Sequence, residues 1–75
     1  MDDTRAASDL AIFVNGAPHQ MPAGSSVADL VRTLGLLPAQ VAVERNQQIV
    51  RRIDHANTAL AAGDRLEVVT FFGGG

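Results

Sequence analysis

The groups best suited to chemistry stand at the end of the chain, where the β-prone run Leu66-Glu67-Val68-Val69-Thr70-Phe71-Phe72 passes directly into Gly73, Gly74 and Gly75. Three glycines have no side chains and accept nearly any φ/ψ, so they can lie extended in a channel too narrow for a Cβ. What they present is the terminal carboxylate of Gly75. An α-carboxyl group has a pKa of about 3.5 and is ionised at neutral pH. It is then an oxygen nucleophile that can attack an activated phosphate such as that of ATP, provided a second protein holds both.

The other reactive side chains do not assemble into a site. His19 and His55 are far apart, with no Cys or Glu at ligand spacing, so no metal site is expected and both histidines are read as surface residues. Asp54-His55 together with Ser25 or Ser26 supplies the members of a Ser/His/Asp set. Ser26 already has a helix-capping role, however, and no G-x-S-x-G context is present. Gly73 to Gly75 are not a phosphate-binding loop, because no helix follows them. The chain is therefore expected to have no catalytic machinery of its own and to bind no cofactor.

Composition narrows the classes further. Seventy-five residues make one small domain, and 47% apolar with 19% charged residues is the balance of a chain that folds. The absence of Cys excludes disulfides, a catalytic thiol and a persulfide carried on a side chain. With no Lys there is no ε-amine for Schiff-base chemistry or self-conjugation. The six basic residues are all Arg and are scattered, and the net charge is −2, which argues against nucleic acid. No apolar run has the length of a membrane span and the first residues lack a signal-like core, so a cytoplasmic location is expected.

Positioning the tail requires a scaffold, and its elements are legible in order. Residues 1–8 are polar and small and read as a disordered leader; 9–72 read as the folded domain and 73–75 as a flexible reactive tail. Leu10, Ile12 and Val14 alternate with Ala11 and Phe13 in a strand, and Asn15-Gly16 signals a type I′ hairpin into a second strand over about Pro18 to Met21. Ser26 and Asp29 form a capping-box pattern ahead of a helix whose stripe is Val27, Leu30, Val31 and Leu34. Gly35 fits its C′ position and Pro38 stops it. Val41 to Arg45 is a third strand, Asn46-Gln47-Gln48 a polar turn, and Ile49-Val50 a short fourth strand ended by Arg51-Arg52. Asp54 is expected to cap a single turn over His55 to Asn57, and Ala61 to Asp64 to turn into the last strand.

The predicted class is α+β, a mixed sheet of about five strands wrapped on one main helix, with the last strand beside the first. Alternation then sends Phe13, Val69 and Phe71 to the face away from the helix. Together with Phe72 they are candidates for an apolar docking surface beside the tail.

From Leu10 to Gly75 the sequence resembles the ThiS family of ubiquitin-like sulfur carriers of thiamin biosynthesis. The resemblance is carried by Val41-Ala42-Val43-Glu44-Arg45-Asn46, Ile49-Val50, Gly63-Asp64-Arg65-Leu66-Glu67 and the Phe-Gly-Gly-Gly end. It implies a β-grasp fold and a carrier that is a co-substrate, not an enzyme. It also implies a ThiF-type enzyme that adenylates Gly75 with Mg-ATP, a cysteine desulfurase as sulfur source, a thiocarboxylate on Gly75, and the thiazole synthase ThiG as acceptor. The carrier would be a monomer when free. The polar leader is longer than the family pattern, and Arg51 stands where many relatives have Pro, which leaves the end of the fourth strand open.

Three alternatives stay open at this point. The MoaD-type small subunit of molybdopterin synthase resembles the chain in topology and in its Gly-Gly end, but usually has a Pro-containing segment before its glycines that is absent here. A conjugating modifier would form an isopeptide with a target lysine. A plain interaction domain would keep full function without its glycines.

Overall fold

The structure, a computed structural model, describes residues 9–71. The leader and Phe72 to Gly75, on which the tail assignments fall, lie outside the described residues. Among those described, five strands run β1 (Asp9–Val14), β2 (Ala17–Pro22), β3 (Val41–Arg45), β4 (Gln48–Val50) and β5 (Arg65–Thr70), with one α-helix, α1 (Val27–Thr33). The strand order is β2-β1-β5-β3-β4. β1 and β5 pair in parallel at the centre and every other pairing is antiparallel. This is the mixed sheet on one helix, with the last strand beside the first, that the sequence predicts.

The helix begins where its local chemistry says it must. Ser26 has extended φ/ψ, its hydroxyl accepts from the Asp29 N–H at 3.1 Å, and the Asp29 carboxylate accepts from the Ser26 N–H at 2.9 Å. Two amide donors that the first turn would otherwise leave unpaired are thereby satisfied. Those same bonds hold the Asp29 carboxyl below its ordinary pKa, and the Arg32 guanidinium paired with it pulls in the same direction. At the other end Leu34 is the C-cap and Gly35 takes the left-handed conformation, φ 78°, that closes the helix without Cβ strain.

The helix buries one stripe against the concave face of the sheet. Val27, Leu30 and Val31 pack with Ile12, Met21, Val41, Val43, Leu60, Leu66 and Val68. Leu34, expected on the same stripe, is half-buried at the margin of this core, as are Leu10 and Val14. A fully buried Leu, Ile or Val contributes roughly 1.5–3 kcal/mol of transfer free energy. Nine such side chains and Met21 form the core among the described residues.

Several local expectations need correction. The turn between β3 and β4 is Asn46-Gln47 alone, both at positive φ (53° and 73°), and Gln48 is already in the strand. Asp54 caps nothing: the N-cap of the 3₁₀ segment Arg52–Asn57 is the extended Arg51, three residues earlier, and the Asp54 carboxylate accepts from Arg51 Nε at 3.1 Å. Arg51 has φ −65° and ψ 151°, the backbone that a proline ring would fix, which is how this position ends β4 without proline. His55 is a core residue with 3% exposure, since its ring Nε2 stands 3.2 Å from the Val50 carbonyl while Nδ1 is buried without a partner.

Candidate functional site: the outer sheet face and the end of β5

β5 leads to the glycines, so the site is built outward from it. Its buried residues Leu66 and Val68 face the helix, and Arg65, Glu67, Val69 and Phe71 face out. Val69 and Phe71 are more than half exposed, at 56% and 53%. Ala42 of β3 lies directly opposite Val69, and the Phe71 N–H donates to the Gln40 carbonyl at 2.7 Å. The main chain is thus held to β3 as far as Phe71, with an apolar step on its outer side.

Phe13 faces outward as expected but does not join this step. The β1–β5 register sets Phe13 against Arg65, four residues before Val69, a separation of about 13 Å along a strand. The Arg65 guanidinium lies over the Phe13 ring, 4.7 Å from its centroid, and Phe13 is half-buried. Between the two apolar positions the outer face carries Glu67 directly opposite Glu44. Sequence alternation sorts residues by face; it does not give the offset between two strands far apart in the chain.

The strand is aimed by two polar clusters at its ends. The buried Asp64, in the turn before β5, accepts from Arg45 Nε at 2.8 Å, Asn46 Nδ2 at 3.0 Å and the Ala61 N–H at 2.8 Å. Burial pushes the Asp64 carboxyl up, but the bonds from Arg45, Ala61 and Asn46 outweigh it and hold the group below the usual range. Further along, the Asn15 carboxamide accepts from the Val68 N–H at 2.8 Å and donates to the Val68 carbonyl at 3.2 Å. The hairpin turn thereby grips β5 where β1 has already ended.

The dispersed catalytic residues remain dispersed. The Ser25 hydroxyl donates to the Pro22 carbonyl at 2.6 Å, Ser26 is the helix cap, Asp54 pairs with Arg51, and His55 is turned toward Val50. No Ser/His/Asp set forms from them. Among the described residues no three His, Asp or Glu side chains gather as a metal site, and no helix is long and apolar enough to cross a membrane.

A five-stranded mixed sheet on one helix, with the last strand beside the first and a triglycine following it in sequence, defines the β-grasp class of fold. The ThiS family model matches residues 8–75, nearly the whole sequence and its glycine end included, and the chain belongs to the ThiS family. A crystal structure of the thiamine biosynthesis protein ThiS from Geobacter metallireducens is 31% identical, with a TM-score of 0.68 over 88% of this chain and 100% of that one. A solution structure of a thiamine biosynthesis protein from the same organism gives 30% identity and a TM-score of 0.70, covering 88% of each chain. Two curated thiazole synthases, from Magnetococcus marinus and Paramagnetospirillum magneticum, are 44% and 41% identical over 64 residues. These residues are 85% of this chain, which spans about a fifth (20%) of the length of either relative.

Proposed function

We propose that the chain carries sulfur as a thiocarboxylate on Gly75 and delivers it for thiazole formation. The observation that supports this most is that the family match runs through to Gly75, on a fold whose central strand points into that end. On a ThiF-type enzyme, the Gly75 carboxylate attacks the α-phosphorus of Mg-ATP and pyrophosphate leaves. A persulfide originating from a cysteine desulfurase then displaces AMP to give an acyl disulfide, and a thiol cleaves its S–S bond, releasing the Gly75 thiocarboxylate and leaving a disulfide. Gly73 and Gly74 thread the carboxylate into each partner, and Val69 and Phe71, with Phe72 following, form the docking step; Phe13 acts as a separate outlying contact. The chain itself contributes no cofactor site.

The acceptor is a thiazole synthase of the ThiG type. Support comes from the two thiazole synthases, in whose chains a segment like this one is present. The test is the intact mass of the protein after incubation with the activating enzyme, Mg-ATP and a sulfur donor. An increase equal to one oxygen-for-sulfur exchange, localised to Gly75 and lost on adding the synthase and its substrates, is expected. A mass that never changes would refute the carrier chemistry.

A further inference from the structure

The main chain of β5 bonds alternately to its two neighbours, and one of its positions is left over. Asn46 N–H donates to the Arg65 carbonyl at 2.8 Å and Phe71 N–H to the Gln40 carbonyl at 2.7 Å, so in this register residues 65, 67, 69 and 71 turn their amides and carbonyls to β3. Leu66, Val68 and Thr70 turn theirs the other way, toward β1. The Leu66 carbonyl accepts from the Asn15 N–H at 2.8 Å, and Val68 is gripped by the Asn15 carboxamide. β1 ended at Val14, and Thr70 comes next. Among the described residues its N–H and C=O have no partner.

We propose that this edge is a strand-docking site: an extended segment of the thiazole synthase lies beside Thr70, in line with β1, and exchanges main-chain hydrogen bonds with it. The proposal rests on the sulfur-carrier reading above. Asn15 acts as the final rung of the protein's own ladder, because a carboxamide offers the same donor and acceptor as a peptide group. The partner's strand supplies the rungs after it.

The other edges of the sheet contrast with this one. In the β1–β2 hairpin with its two-residue turn, Val14 and Ala17 are the bonded pair, so residues 18, 20 and 22 face outward along the free edge of β2. Pro18 and Pro22 occupy two of these three positions and offer no N–H. The outer strand at the opposite end, β4, is three residues long. Thr70 keeps its donor, and it sits on the strand that leads to the reactive end. The presence of a related segment within thiazole synthase chains argues for that enzyme as occupant.

The test is a binding titration of the full chain with the thiazole synthase of the same cell, using wild type, Thr70→Pro and Thr70→Val. The Thr70 N–H points away from β3, so proline there spares the β3–β5 ladder, and thermal melting checks this. Thr70→Pro is expected to bind about tenfold more weakly or worse, and Thr70→Val to bind like wild type. Independently of any variant, hydrogen exchange at the wild-type Thr70 amide is expected to slow by about tenfold or more in the saturated complex. An unprotected Thr70 amide in that complex, or a folded Thr70→Pro with full affinity, overturns the edge proposal while leaving the carrier reading intact. A wild-type chain that does not bind the synthase at all overturns both.

Discussion

Arg45, the last residue of β3, donates its Nε–H to the buried Asp64 carboxylate at 2.8 Å, joining the end of one strand to the turn that launches β5. Asn46 completes the joint from both sides. Its side-chain amide donates to Asp64 at 3.0 Å, and its side-chain oxygen accepts from the Arg65 N–H at 2.9 Å. The direction in which β5 leaves the domain is set here.

Asp64→Ala is expected to lower stability by about 2–3 kcal/mol at neutral pH, because it leaves the Ala61 amide and the Asn46 and Arg45 donors without their acceptor. The pH dependence has a definite sign. The folded-state pKa lies below the unfolded value of about 3.9, so the contribution is complete above that value and is lost as pH falls through the folded-state pKa. Denaturant unfolding from neutral pH down into this window should show a shallower acid loss in Asp64→Ala than in wild type. Parallel acid profiles would show that another carboxylate governs the decline.

Leu30 has no exposed surface and sits at the centre of the helix stripe. Leu30→Ala should cost about 2–4 kcal/mol, from lost transfer energy plus the cavity left behind. A loss below about 0.5 kcal/mol in chemical denaturation would mean that the core closes around the deletion, or that the helix contributes little to holding the sheet.

Val69→Asp separates docking from folding. The side chain is more than half exposed beside Ala42, so the stability change should stay within about 1 kcal/mol, while adenylation of Gly75 weakens by about tenfold or more. Pyrophosphate exchange measured at limiting carrier concentration reads the second quantity. Phe13→Asp, about 13 Å from Val69 by the strand rise, should weaken adenylation less and disturb the Arg65 contact more. Equal defects from both variants would mean that the activating enzyme covers the whole outer face.

Deleting Gly74 and Gly75 should leave the melting temperature unchanged and eliminate sulfur transfer. Residues appended after Gly75 should do the same until a protease removes them, since a peptide bond leaves no carboxylate to adenylate. Thiazole formation by the truncated protein would remove the tail from the chemistry.

What was legible in the sequence was mostly local. Ser26 and Asp29 stand three positions apart and specify their own capping box; Asn15-Gly16 specifies its own turn; period-2 runs mark the strands. The missed features are those in which distant segments decide. In sequence Asn15 marks a turn, and nothing near it shows that its carboxamide reaches Val68, 53 positions away. Alternation puts Phe13 and Val69 on one face but does not give their rows, which only the parallel β1–β5 register fixes. The polarity of His55 points to the surface, yet the 3₁₀ segment turns it inward against Val50. A buried imidazole nitrogen without a partner is a cost that residue type alone does not announce.

The bond from the Phe71 N–H to the Gln40 carbonyl is the outermost anchorage of β5 to its neighbour among the described residues. Beyond it the sequence has four residues, and a chain spans at most about 3.6 Å per residue, so the Gly75 carboxylate can stand no more than about 14 Å from that anchorage. This length works as a depth gauge. An enzyme that acts on Gly75 while resting against the sheet at Phe71 must place its reacting atom within that reach of the contact.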